Sequence, residues 1–263
     1  MKLFKLKKLL LPLALIVCLC NQACKKKDTT TPTPAPTPNG TLMLHLHTNI
    51  DSNEVNEYNE VYVANNGRKV SLSIAQLFVS GIQLVKADGS TYDVPNVNIL
   101  KTMEVEEYLV GSVPSGNYRS IRFQVGLSSA TNSTTPASND STLNRPAMWF
   151  GSSAQPLGYV FVNFQGKIDT SNAANGTAAQ MQTFSYKIGT NANLKQINMP
   201  DQNYSVLPNQ TQFVHITVNY NKLFTGIQLN NANNLTMNTV SANSSTLAAQ
   251  LAGNIASMFS YEE

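Results

Sequence analysis

The chain has 263 residues, with 18 lysines and arginines, 15 aspartates and glutamates, three histidines and three cysteines. Every cysteine falls at or before position 24, so the rest of the chain can form neither a disulfide nor a thiolate metal site. Four lysines lie in the first eight residues; without them 14 basic residues face 15 acids, and no basic patch argues for nucleic acid.

Met1 to Ala23 reads as a signal peptide. Lys2, Lys5, Lys7 and Lys8 precede an apolar run from Leu9 to Cys20. The run falls short of the roughly 20 apolar residues that a spanning helix needs. Ala23 stands directly before Cys24, and Lys25-Lys-Lys-Asp28 follows. This looks like a bacterial lipoprotein signal, with Cys24 as the acylated first residue. Asn21 stands where an aliphatic residue is usual, and Cys18 and Cys20 lie inside the apolar run. The expectation is a protein of the cell envelope, anchored through a lipid on Cys24, most simply in the outer membrane. Residues 24–39 then form a tether whose Thr/Pro repeat keeps it extended, at about 3.1 Å per residue.

From Gly40 onward short apolar runs alternate with turn signals. Thr41 to Thr48 puts Leu42, Leu44 and Leu46 on one face and Met43, His45 and His47 on the other. Val61–Ala64 and Lys69–Leu72 flank Asn65-Asn-Gly67, a hairpin signal because these residues tolerate positive φ. Ile74–Lys86 is a further strand, turned by Asp88-Gly89 into Thr91–Val94. Pro114-Ser-Gly-Asn117 is a tight turn into a strand in which Ile121, Phe123, Val125 and Leu127 alternate with polar residues. Gly126 marks a bulge or a close backbone approach there. Residues 129–144 form a long polar loop. Strands recur at 159–164, 182–188 and 212–219. Near the end Leu247, Leu251, Ile255 and Met258 make one apolar stripe, with Ser244 or Ser245 placed to cap a helix over 244–259. The whole predicts an all-β, antiparallel β-sandwich with a short C-terminal amphipathic helix, a single domain over 40–263.

Met43-x-His45-x-His47 is the strongest metal signal. Residues two apart on a strand share a face, so a thioether and two imidazoles project together. That donor set suits copper, Cu(I) above hard cations, and two imidazoles also suit zinc. His215 lies on the polar face of its strand and meets the first strand only if the two pair. Glu104, Glu106 and Glu107 read as a solvated edge. No Gly-x-Ser-x-Gly elbow, Walker loop or dinucleotide glycine pattern occurs, so the expectation is a protein that is not an enzyme.

Five segments in order carry a resemblance. They are Leu72–Leu84 with Asp88-Gly89, Pro114–Gly126, Met148-Trp-Phe150 with Gly158–Gly166, Phe184–Gly189, and Val218–Phe224 with Asn254–Phe259. Together the chain resembles the MbnP-like family, named for copper-binding proteins associated with methanobactin, many of them lipoproteins of Bacteroidota. The resemblance implies a β-rich extracytoplasmic domain that binds copper through histidines and an oxidised tryptophan. Trp149 falls in the matching place for the tryptophan and His47 in the first strand for a histidine. Lys187 stands where many relatives have histidine, and a protonated lysine offers no lone pair. The resemblance also implies a di-haem peroxidase-like partner. Two functional expectations follow. One is capture or delivery of copper at His45, His47, Met43, His215 and Trp149. The other is a protein- or glycan-binding module that keeps the fold without the metal.

Overall fold

The alternation in the first strand is realised over Gly40–Ile50. Leu42, Leu44, Leu46, Thr48 and Ile50 are buried, and the residues that alternate with them are half-buried. The structure, a computed structural model, describes residues 37–151 and 157–262. The expected signal peptide, Cys24 and most of the tether lie outside the described residues.

In chain order the strands are β1 (Gly40–Ile50), β2 (Asn53–Glu54), β3 (Val61–Val63), β4 (Lys69–Lys86) and β5 (Thr91–Asp93). Then come β6 (Asn98–Lys101), β7 (Glu107–Val113), β8 (Gly116–Val125), β9 (Val160–Asp169) and β10 (Met181–Gly189). The last are β11 (Lys195–Asn198), β12 (Tyr204–Val206), β13 (Thr211–Asn219), β14 (Thr236–Met237) and β15 (Phe259–Tyr261). Helix α1 (Ser129–Asn132) opens the polar loop and α2 (Thr246–Asn254) lies near the end.

Two sheets form among the described residues. The smaller runs β15-β13-β1-β2, with β7 also on β1; the larger runs β11-β8-β4-β9-β10-β14, with β3, β5 and β6 on β4 and β12 on β8. Inward side chains of both sheets, such as Leu44, Ile216, Leu84, Ile121 and Phe164, join one core. The all-β sandwich therefore holds. Two pairings depart from an antiparallel plan: β1 with β13, and β10 with β14, are parallel. Strand β13 returns to β1 only after the chain has passed through the larger sheet, so no hairpin dictates its direction.

Strand β4 is one 18-residue strand where two runs were expected. The interruption survives as a register shift against β9 between Leu72 and Ile74. Gly166 faces it, where a Cβ would stand 1.9 Å from the Ser71 carbonyl oxygen. Gly126, at φ +117°, is a close approach as anticipated, since a Cβ would meet the Phe161 ring at 2.6 Å.

The C-terminal helix is shorter than expected. Ser245 caps α2 by accepting from the Ala248 amide at 3.2 Å. A 3-10 turn over Ile255–Met258 follows, and Leu251, Ile255 and Met258 are buried as the stripe predicts. The chain then turns extended because Phe259 packs edge-on against Phe123, with ring centroids 5.1 Å apart, while β15 pairs with β13.

Candidate metal centre

The outward face of β1 carries the site. In the parallel register His45 lies beside His215 and Met43 beside Phe213. This brings the two histidine-bearing strands together and converts a pair of imidazoles into three. Ligand nitrogens of His45, His47 and His215 all lie within 4.8 Å of one another. The rings of His45 and His47 are 4.2 Å apart, and those of His45 and His215 are 4.8 Å apart, near edge-on.

Three glutamates complete the cluster, each delivered by the backbone. The Leu46 amide, between the two histidines of β1, donates to the Glu106 carbonyl at 2.9 Å. Glu54 on β2 pairs opposite Asn49, on the same face as His47. The Glu262 amide donates to the His215 carbonyl at 3.3 Å, extending the β13–β15 pairing by one residue. The side chains then meet the rings. Glu106 Oε2 is 3.2 Å from His45 Nε2, and Glu106 Oε1 is 3.9 Å from His47 Nδ1. Glu54 Oε1 is 3.2 Å from His47 Nδ1. Glu262 Oε2 sits 3.2 Å from His215 Nδ1 and 3.4 Å from His47 Nε2. Reading Glu106 as part of a solvated edge is thus corrected: its backbone bond to β1 turns the carboxylate between two imidazoles.

Burial is graded across the cluster. The side chain of His47 is 14% exposed, that of His45 20% and that of His215 48%, so the site opens on the β13 side. Nδ1 of His45 faces Nδ1 of His215 at 2.9 Å. One of these nitrogens must present a lone pair, so the two rings cannot both be imidazolium in this arrangement. Nε2 of His47 is shielded from solvent and makes no hydrogen bond; Glu262 is near it but not placed to accept one.

Beneath the site lies a buried amine. Lys101 is fully buried at the end of β6 and donates to Thr48 Oγ1 and, at 2.8 Å, to the Thr102 carbonyl. Two acceptors match the two N–H groups of a neutral amine. Burial pushes its pKa down to about 7, against the opposing pull of Glu106 and Glu104. The Tyr108 hydroxyl, pushed up to about 12 by burial, closes the loop that carries Glu106. It accepts from the Thr102 amide at 2.9 Å and donates to the Val105 carbonyl at 2.5 Å.

Of the other residues singled out from the sequence, Met43 stays on the strand of His45 and His47, and Trp149 and Lys187 do not. Met43 shares the face of His45 and His47, two residues earlier, opposite Leu109 of β7. Trp149 is buried beside the start of β9, in the larger sheet, bridged to Tyr159. It packs with Phe78, Leu127, Met148 and Phe161, and its Nε1 donates to the Leu143 carbonyl at 3.1 Å. Lys187 lies on β10 opposite Asn163, also in the larger sheet.

Comparison with known proteins gives the class. A model of the MbnP family matches residues 39–240, and the chain belongs to this family. Among solved structures, MbnP from Methylosinus trichosporium is similar at 14% identity, covering 71% of this chain and 78% of that one, with a TM-score of 0.47. A comparison with curated proteins finds no match. Family membership supports a copper-related role in general. The donor set fits the metal: three clustered imidazoles, one with a buried nitrogen that makes no hydrogen bond, and carboxylates beside them.

Proposed function

We propose that this chain is a non-enzymatic copper-binding lipoprotein of the cell envelope, holding copper at His45, His47 and His215. The observation that carries the reading is the convergence of three imidazoles from β1 and β13, with Nε2 of His47 buried and making no hydrogen bond. A buried polar atom left without a partner costs about 1–3 kcal/mol, and a bound cation would relieve that cost. Copper, as cargo, would be held by the imidazole lone pairs, with Glu262 beside two of them. Glu106 would orient His45 through its far nitrogen, which raises the ligand's basicity. Imidazole and carboxylate together suit Cu(II) as well as Cu(I), which widens the expectation drawn from Met43. Trp149 is not needed as a ligand in this reading, and Lys187 in the larger sheet does not obstruct it.

The lipid on Cys24 would hold the domain at the membrane, and the Thr/Pro tether would set its reach. The site would capture copper there or deliver it, with a di-haem peroxidase-like protein as the implied partner. A metal-free binding module is the alternative, and one observation favours it: all six side chains already hydrogen-bond or pair with one another. The test is to load the metal-free protein with Cu(I) or Cu(II), remove the excess and count bound metal. About one or more equivalents is expected, and less than about a tenth of an equivalent would overturn the proposal.

A further inference from the structure

The cluster divides into two donor sets that share one ring. On one side Glu262 Oε2 lies within 3.4 Å of both His215 Nδ1 and His47 Nε2, and His215 Nδ1 in turn faces His45 Nδ1. On the other side His47 presents Nδ1 to Glu54 at 3.2 Å and to Glu106 at 3.9 Å. The ligand atoms of His47, Glu54 and Glu106 also lie within 4.8 Å of one another. The ring of His47 is therefore the partition, with one nitrogen turned to each set.

Charge points the same way. Glu54, Glu106 and Glu262 contribute three negative charges around rings whose shared contact forbids full protonation. Among the described residues no lysine or arginine stands within ion-pair distance of any of the three, whose close partners are the imidazoles; Lys101 acts on Glu106 only at longer range. One divalent ion in the nitrogen-rich set leaves the cluster negative. A second brings it close to neutrality.

The geometry points to a second cation position, formed by His47 Nδ1, Glu54 and Glu106, behind the three-histidine position. It rests on the copper reading of the first position. Its two carboxylates and single imidazole suit a borderline or hard divalent ion such as Zn(II) or Mn(II) better than Cu(I). Glu106 is oriented for the role, because His45 Nε2 holds its other oxygen at 3.2 Å. A neutral imidazole carries one N–H, so occupation of both nitrogens of His47 releases that proton to solvent.

The experiment is a Zn(II) titration of the metal-free protein, with bound metal counted after gel filtration, beside E54Q, the double variant E54Q/E106Q and H215A. Glu54 is half exposed and its amide is nearly isosteric, so E54Q tests the position even if the double variant folds poorly. Two equivalents are expected for the parent and one for E54Q. In the parent doubly loaded with Cu(II), the shared ring should couple the ions and weaken the single-ion resonance signal; E54Q should keep the full signal of one ion. A parent that saturates at one equivalent, or an E54Q protein that still binds two, overturns the second position and leaves the first intact. A parent that binds no metal at all overturns both.

Discussion

Lys101 shows how a single residue supports the site without touching a ring. Its amine ties Thr48, next to His47, to Thr102, at the root of the loop that ends in Glu106. The unfolded lysine keeps its proton up to its ordinary 10.5, whereas the folded one releases it near 7. Between those values the unfolded chain binds the extra proton, so stability rises with pH there, by at most about 1.4 kcal/mol per unit. Denaturant midpoints of the metal-free protein should climb from pH 7 to about pH 9.5, below the raised tyrosine range, and the climb should flatten in K101M. Equal slopes in parent and variant would contradict this account of Lys101. Glu262 makes a second residue-scale prediction. As a partner of two imidazoles rather than a central ligand, its change to Gln should weaken copper binding about 10- to 100-fold without abolishing it, read by competition with a chelator of known affinity.

At the scale of elements, β15 does two jobs: it covers the β13 edge and carries the backbone that delivers Glu262. Phe259 anchors it edge-on to Phe123. Phe259→Ala should cost about 3 kcal/mol in a denaturant titration and should lower copper affinity together with stability. Loss of stability with unchanged affinity would separate the strand from the site. What the sequence revealed at this scale follows from periodicity. The Leu42-Leu44-Leu46 alternation identified β1 and the side on which His45 and His47 project. Gly126 and the capped stripe from Leu247 to Met258 were equally local signals. His215 was a candidate only on the condition that its strand meets β1, because its contact with His45 depends on a parallel pairing between residues 170 positions apart. Glu54, Glu106 and Glu262 reach the rings only through cross-strand backbone bonds. The one weak clue was the acidic cluster of Glu104, Glu106 and Glu107, which the sequence presents as a solvated edge.

At the scale of the whole molecule, the smaller sheet presents the histidines and the larger sheet buries Trp149. The two residue types that the family resemblance joins therefore belong to separate neighbourhoods here. Trp149→Phe, which keeps an aromatic ring against Phe78 and Tyr159, should leave copper stoichiometry unchanged; intact mass of native protein shows independently whether the indole is oxidised. Cys24→Ala should move the protein from the membrane to the soluble envelope fraction while copper stoichiometry stays the same. A variant that remains in the membrane fraction would remove the lipid anchor from the proposal.

The central claim is that imidazoles of β1 and β13 hold the copper. X-ray absorption of the copper-loaded protein, set beside H45A/H47A and H215A, tests it most directly. Multiple-scattering features of imidazole are expected in the parent, reduced in H215A and lost with the metal in H45A/H47A. A copper spectrum dominated by sulfur, or one unchanged by loss of His45 and His47, would contradict it.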